Sequence, residues 1–246
     1  MMVDFHTHIL PGIDDGSPDA KTSVEMVRQE LEQGVDTIFL TPHFVAQRDY
    51  PEKFIQRRQQ AYETLQKALA EEGLSVSLQL GAEVMCCPGM SRWKQLEQLT
   101  MGDSPYILVE LPPRPWKKAV FEELEAIYLE HGLVPIVAHI DRYLQIMGNE
   151  KMLASLECLP VLLQANASFF TERRNHRLAL RWLKQERIHL IGSDCHGSQW
   201  RSPCLKEAMQ VISSHLGEKT VLYLEQLAQA VLQGENLIVN NTVFSK

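Results

Sequence analysis

The chain has 246 residues, 45% of them hydrophobic, and a formal net charge of −7. That length suits one large α/β barrel as well as two small domains, and the hydrophobic content is ordinary for a globular protein. The acidic balance runs against a nucleic-acid partner, which asks for a basic face.

Taken in chain order, strand-like runs alternate with helical patterns, the signature of βαβ units and a parallel sheet. The first strand, Val3-Asp4-Phe5, runs into His6-Thr7-His8. Ser17 and Pro18 read as the start of a helix that carries Val24, Val27 and Leu31 at helical spacing and stops at Gly34. Strand two, 37–40, ends at His43, and a polar loop at 45–50 leads into a helix over 51–72 closed by Gly73. Strand three, 77–80, ends at Glu83; a helix near 91–99 precedes strand four, 106–109, which ends at Glu110. A helix over 117–130 is followed by strand five, 134–137, ending at His139, then a helix at 149–157. Strand six, 161–164, leads to Asn166 and Ser168, and a helix over 175–185 precedes a last strand, 188–191, ending at Asp194-Cys195-His196. Two helices fill 203–233. These are seven β/α units without linker, repeat or low-complexity stretch, so one domain over 1–246 is expected. The doublets Arg57-Arg58, Arg173-Arg174 and Glu71-Glu72 read as solvated helix faces.

No apolar run reaches the roughly 18 residues of a membrane span, so direct membrane insertion is not expected. The N-terminus does not have the basic-then-apolar pattern of a signal peptide. The cysteines are Cys86, Cys87, Cys158, Cys195 and Cys204, an odd set with no C-x2-C pair. That usage points to a reduced, cytoplasmic protein.

The chemistry lies in what ends the strands. Parallel α/β barrels build their sites from residues at the strand C-termini, and six strands here end on a metal-type ligand. His6 and His8 are two apart on a strand, so both side chains face one side. The turn that follows, Leu10-Pro11-Gly12-Ile13-Asp14-Asp15-Gly16-Ser17, adds two carboxylates; Asp14 fits an Asx-type turn equally well. Glu83 and Glu110 end apolar strands and need a partner near the barrel mouth. His43, His139, Asp194 and His196 extend the set. Imidazole and carboxylate ligands without thiolates favour Mn, Fe or Zn. Arg142 and Arg201 follow His139 and His196 closely, and a guanidinium matches a phosphate bidentately.

Together these stretches resemble the PHP (polymerase and histidinol phosphatase) superfamily, in particular the bacterial manganese-dependent tyrosine phosphatases of capsule and exopolysaccharide loci. The matching segments are D-F-H-T-H-I-L-P-G-I-D-D-G-S at 4–17, T-P-H at 41–43, G-A-E at 81–83, E-L-P at 110–112, A-H-x-x-R-Y at 138–143 and S-D-x-H at 193–196. The resemblance spans nearly the whole chain. It implies a distorted (β/α)7 TIM-like barrel, the PHP fold, with up to three metal ions, Mn2+ first and Fe or Zn as alternatives. One ion would take His6, His8, Glu83 and Asp194; a second would share Glu83 and take Glu110 and His139; a third would take Asp15, His43 and His196. Arg142 and Arg201 fall where these phosphatases hold the substrate phosphate. The implied reaction is attack of metal-activated hydroxide on a phosphotyrosine. The implied partner is a membrane-associated tyrosine autokinase that regulates capsular or exopolysaccharide synthesis. A small-molecule phosphatase acting on a compound such as histidinol phosphate, and a catalytically silent metal-binding module, are the competing readings.

Two departures stand out. Ile140-Asp141 replaces the family's Pro-Glu, which is expected to change the path of a loop, and Cys195 replaces an alanine. Cys195 and Arg201 also fit the C-x5-R spacing of cysteine-dependent phosphatases. That mechanism needs a low-pKa thiolate, and the flanking Asp194 disfavours one. Trp116, Lys117 and Lys118 follow a proline-rich stretch and are candidates to border the cleft, a stiff surface loop being the plainer alternative. His131, His176, His189 and His215 read as structural.

Overall fold

The computed structural model describes residues 1–147 and 150–238. The expected helix at 149–157 therefore starts on a residue outside this range, as does the end of the domain drawn to 246. The strands are β1 (Met2–Thr7), β2 (Val35–Leu40), β3 (His43–Phe44), β4 (Ser77–Leu80), β5 (Glu83–Met85), β6 (Tyr106–Glu110), β7 (Val134–Val137), β8 (Leu162–Asn166) and β9 (Leu190–Gly192). Among the described residues all pairings are parallel. β1, β2 and β4 form one ladder, and β3 followed by β5 through β9 forms the other.

β2 and β3 are one strand broken at Thr41-Pro42, and β4 and β5 are one strand broken at Gly81-Ala82. Proline has no N–H for the ladder. Opposite it, a Cβ on Gly81 would sit 3.2 Å from the Thr41 methyl. Counting each broken pair once gives the seven expected strand positions. β9 returns to β1 at the rim, where Asp194 N donates to His6 O (2.7 Å) and His8 N to Cys195 O (3.0 Å). The (β/α)7 barrel closes there.

Alternation along the strands divides the core in two, because successive side chains point to opposite faces. Tyr106 and Leu108 join Phe5, Phe39, Ile136 and Leu162 in one buried cluster. Ile107 and Val109 join Ile38, Val137, Leu163 and Ile191 in the other, larger one. Burial on both faces explains the near-continuous Val/Ile/Leu runs that mark these strands.

The helices are α1 (Ala20–Gln33), α2 (Pro51–Glu71), α3 (Lys118–His131), α4 (Ile140–Met147), α5 (Glu150–Leu156), α6 (Ala167–Thr171), α7 (His176–Lys184), α8 (Leu205–Leu216) and α9 (Glu218–Leu232). Helix α1 ends at Gly34, whose φ of 83° closes it as expected, but its N-cap is Asp19, not Ser17. The Asp19 carboxylate accepts from Thr22 N at 2.8 Å.

Three expectations are corrected, and one short helix, α6, was not expected. Segment 91–99 is two 3-10 turns, Met90–Arg92 and Leu96–Leu99, rather than one α-helix. Its apolar residues Met90, Trp93, Leu96 and Leu99 recur every three positions, which suits a 3-10 period better than 3.6. Residues 140–143 are the first turn of α4 and not a loop. Proline is well tolerated in a first helical turn, so a helix can open here with either residue. The pentad α6 follows β8 directly and has too few residues for a period. Finally, Arg58 is buried rather than solvated. Its guanidinium donates to Gly81 O (2.7 Å) and Gln98 O (2.9 Å), fastening α2 to the break before Glu83. Arg57, by contrast, is exposed and pairs with Asp49.

Candidate metal centre

All nine expected ligands meet at the C-terminal rim. His6 Nε2 lies 3.1 Å from His8 Nε2, and Glu83 Oε2 lies 3.1 and 3.3 Å from the same two nitrogens. Asp194 Oδ1 is 3.6 Å from His6 Nε2 and 3.5 Å from His8 Nε2. His139 Nε2 reaches Glu83 Oε1 at 2.8 Å and Glu110 Oε1 at 3.5 Å. Asp15 Oδ1 stands 3.4 Å from His43 Nε2 and 3.5 Å from His196 Nε2.

Three sets of donor atoms fall within 4.8 Å of one another: His6, His8 and Asp194; His8, Asp15, His43 and His196; and His43, Glu83 and Glu110. The grouping differs in detail from the one implied by the resemblance. His43 stands with Glu83 and Glu110 as well as with Asp15, and His8 stands with two groups. Most of these side chains are buried, whereas Asp15 is exposed and His43 partly so.

The arrangement asks for cations. Gln164 Nε2 donates to Ala165 O, and its Oε1 accepts from His139 N at 2.7 Å. The oxygen that faces His6 Nδ1 at 3.3 Å is therefore an acceptor. His8 Nδ1 likewise faces a carboxylate, Asp14 Oδ2, at 2.7 Å. Both Nδ1 atoms carry hydrogen on this account, which leaves two Nε2 lone pairs aimed at each other. His196 Nδ1 bonds Asp194 O at 3.0 Å, freeing its Nε2 in the same way. Buried Asp194 Oδ1 and His196 Nε2 have no hydrogen-bond partner. Lone pairs without donors, converging in a low-dielectric pocket, are unfavourable unless a positive ion sits among them. The donor set fits divalent transition metals.

The electrostatics show the same demand for positive charge, which a proton on an imidazole meets as well as a metal ion does. Burial works against charging His8, but the hydrogen bonds to Asp14 and Glu83 outweigh it and push its pKa up to about 10. Burial would raise Glu83, yet the charge of His6 and the hydrogen bonds of His139 and His43 hold it well below the usual carboxylate range. Glu110 is pushed up to about 7 by burial and by the Glu83 charge.

Asp194 divides the site. Its Oδ1 faces the imidazoles, while its Oδ2 takes ion pairs from Arg142 and from Arg201 (2.6 Å) and a hydrogen bond from Asn166 Nδ2 (3.0 Å). Both arginines also line an open polar groove with Asp141, Asn166 and Ser168. Among the described residues four non-glycines have left-handed backbone, and three are His139 (φ 33°), Asp194 (φ 53°) and Arg201 (φ 52°). Such strain costs on the order of 1–3 kcal/mol each and gathers at functional sites.

Two glycines permit the close approaches around the histidines. A Cβ on Gly16 would lie 2.2 Å from His8 O, and one on Gly192 would lie 2.7 Å from His6 Cβ. Two supporting residues, Gln164 and Asn166, were given no role by the sequence, and Asp14, which the sequence left open between an Asx turn and the site, serves both. Asp14 does form an Asx turn with Gly16 N (3.0 Å), but its other oxygen binds both His8 and His43 N (3.0 Å). Gln164 and Asn166 hold His6, His139 and Asp194; neither ionises, so only their position at the end of β8 hinted at a role.

The remaining candidates lie elsewhere. Cys195 is fully buried, with Sγ 3.6 Å from Glu30 Oε1. Burial and the Glu30 charge raise its thiol well above the ordinary value, the reverse of what C-x5-R chemistry needs. Trp116 is buried edge-on against Tyr143 (5.0 Å) and donates Nε1–H to Pro112 O, so it is not a free platform for a substrate ring. Lys118 pairs with Glu122 on the exposed face of α3. His131 bonds Ser91 O (2.6 Å) and His189 accepts from Leu163 N (2.8 Å), both structural roles.

Residues 2–232 match the family described as capsular polysaccharide synthesis, CpsB/CapC. Tyrosine-protein phosphatase YwqE of Bacillus subtilis is 28% identical over 244 residues, covering 96% of this chain and 93% of that protein. Tyrosine-protein phosphatase CpsB of Streptococcus pneumoniae is 27% identical over 89% of this chain and 92% of its own length. A crystal structure from work on those two proteins, described as unique metal-dependent tyrosine phosphatases, superposes with a TM-score of 0.84 at 25% identity, covering 95% of both chains. A match that runs from β1 to the end of α9 takes in every strand end on which the ligands stand, and the chain belongs to the CpsB/CapC family.

Proposed function

We propose that this protein is a metal-dependent protein-tyrosine phosphatase, one domain over 1–246, that works in the cytoplasm on a phosphorylated, membrane-associated tyrosine autokinase of a capsule or exopolysaccharide system. The observation that carries the proposal is the two-sided Asp194 carboxylate, with buried metal-type ligands on one oxygen and two guanidiniums on the other. A phosphoryl group set between them meets positive charge from both directions. The names of the relatives supply the substrate class.

His6, His8, Asp15, His43, Glu83, Glu110, His139, Asp194 and His196 would hold up to three ions, Mn2+ in the cell. When bound, such ions neutralise phosphoryl charge and lower the pKa of a water nucleophile. The chain's own part is to orient and to clamp. Asp14 and Gln164 fix the tautomers of His8 and His6, as outer partners of metal-bound histidines generally do. Arg142 and Arg201 exchange Asp194 Oδ2 for phosphoryl oxygens, making charge-assisted and potentially bidentate hydrogen bonds. Asn166 stays on the carboxylate as they leave it. No helix among the described residues is long and apolar enough to cross a membrane, in keeping with a substrate reached from solution.

A substrate panel on Mn2+-loaded protein tests the proposal. Phosphotyrosine peptides should be turned over faster than histidinol phosphate or phosphoserine peptides, with activity lost to a chelator and restored by Mn2+. Full activity in metal-free protein, or preference for histidinol phosphate, would overturn it.

A further inference from the structure

The rim carries one large apolar side chain that the proposed chemistry leaves unused. Trp200 is 73% exposed, in the segment between His196 and Arg201. A lone exposed apolar residue is ordinarily unremarkable. This one is held in place by its backbone. His196 N donates to Arg201 O at 3.0 Å, closing the segment at its base, and Ser198 O accepts from Gln29 Nε2 of α1 at 2.9 Å. Immediately after Trp200 the chain turns through the left-handed φ of Arg201. The outcome is that Arg201 reaches in to Asp194 while its guanidinium carbon lies 5.7 Å from the centre of the indole ring, within cation–π range. One guanidinium thus touches both the carboxylate at the centre and the aromatic at the edge.

In an aryl phosphate the ring is separated from phosphorus by a single ester oxygen. Aromatic pairs are favourable at centroid separations of about 4.5–7 Å, so a ring whose phosphoryl group rests on Arg201 emerges within reach of the indole. We infer that Trp200 is a specificity-determining residue, stacking on the aryl ring of a phosphomonoester held by Arg201 and biasing the site toward aryl over alkyl phosphates. This rests on the phosphatase reading above.

The test compares wild type, Trp200→Ala and Trp200→Phe as metal-loaded enzymes on free phosphotyrosine, a phosphotyrosine peptide and ethanolamine phosphate. The ratio of kcat/KM for phosphotyrosine over ethanolamine phosphate should fall roughly two- to tenfold in Trp200→Ala. The change should lie mainly in KM, because stacking forms in the ground state as well. Trp200→Phe should recover most of the ratio, and Leu129→Ala, an equally exposed apolar residue on α3, should keep the wild-type value. Tryptophan fluorescence gives a second readout. The non-hydrolysable phosphonomethyl analogue of phosphotyrosine should quench wild type more than methylphosphonate does, and the difference should vanish in Trp200→Phe. An unchanged ratio in Trp200→Ala overturns the inference while leaving the phosphatase reading in place. So does a loss confined to the peptide, which makes Trp200 a contact for the protein part of the substrate. A wild type that hydrolyses none of the three esters refutes the phosphatase reading and this inference with it.

Discussion

Replacing Asp14 by asparagine should weaken Mn2+ binding tenfold to a hundredfold without unfolding the protein. The carboxylate accepts three hydrogen bonds: His8 Nδ1 at 2.7 Å and His43 N at 3.0 Å on Oδ2, and Gly16 N at 3.0 Å on Oδ1. Burial alone would raise its pKa, but the His8 hydrogen bond and charge bring it down to about 2, so Asp14 is an anion at working pH. Asparagine keeps the shape and offers one oxygen. Its amide NH2 must then face a donor on one side or the other, and a buried donor left unpaired costs about 1–3 kcal/mol. Loss of the negative charge also makes His8 a poorer ligand. Outer partners of this kind are worth about 10–100-fold in metal affinity, or about 1.4–2.7 kcal/mol. The assay is competition of Mn2+ between protein and a fluorescent chelator near neutral pH, with unfolding of the metal-free protein followed in parallel. Asp14→Ala strands all three donors and should lose fold stability as well as metal, which separates the two effects. Wild-type Mn2+ affinity in folded Asp14→Asn would refute the reasoning.

Arg201→Ala should lower kcat/KM by about ten- to a thousandfold, or about 1.4–4 kcal/mol, on peptide and aryl phosphate alike. Metals should stay bound, because Arg142 and Asn166 still hold Asp194. Arg201→Lys should recover only part, since an ammonium lacks the fork, and wild-type kinetics in Arg201→Ala would remove the clamp. Cys195→Ser should retain most activity, whereas His6→Ala and Asp194→Ala should lose nearly all, as groups that act as a unit do. A folded, metal-loaded but dead Cys195→Ser would restore the cysteine mechanism. Acid should destabilise the fold through His189, whose pKa burial lowers from 6.5 to about 4. The unfolded chain takes up that proton below about 6.5 and the folded chain refuses it until about 4, so stability falls across that window by roughly 3 kcal/mol. Urea midpoints of chelated protein at about pH 7 and about pH 4.5 should differ less in His189→Asn than in wild type; equal differences would count against it.

What the sequence made legible was the set of groups that repeat a rule. Each strand has a period of two and a C-terminal end at the same rim, so a ligand after six of the seven apolar runs could be placed without coordinates. Asp14 stayed undecided because D-x-G serves an Asx turn whatever its second oxygen does, and only folding brings that oxygen to His8. Gln164 and Asn166 were hidden because an amide at a strand end carries no charge to account for. Arg58 was misjudged because a solvated Arg57 sits beside it, and which of two neighbours on a helix turns inward depends on the break at Gly81. The first turn of α4 was obscured by its own motif, since A-H-x-x-R-Y draws the eye to two side chains and away from the backbone that presents them.

The left-handed backbone at His139, Asp194 and Arg201 has a consequence for how such a protein changes under selection. At an unremarkable position, a mutation to glycine loosens the chain. At these three it would relax a conformation that side-chain-bearing residues rarely adopt, worth something like 1 kcal/mol of ease per site. Descendants that no longer need the activity therefore face a slope leading away from it. At partly exposed Arg201, decay of function and gain in thermal tolerance would arrive through one substitution, in keeping with the usual opposition between activity and stability, whereas at buried Asp194 the lost ion pairs outweigh the relief. A homologue with glycine at the position of Arg201 and an unusually high melting temperature would be recognisable as one that has stopped turning over.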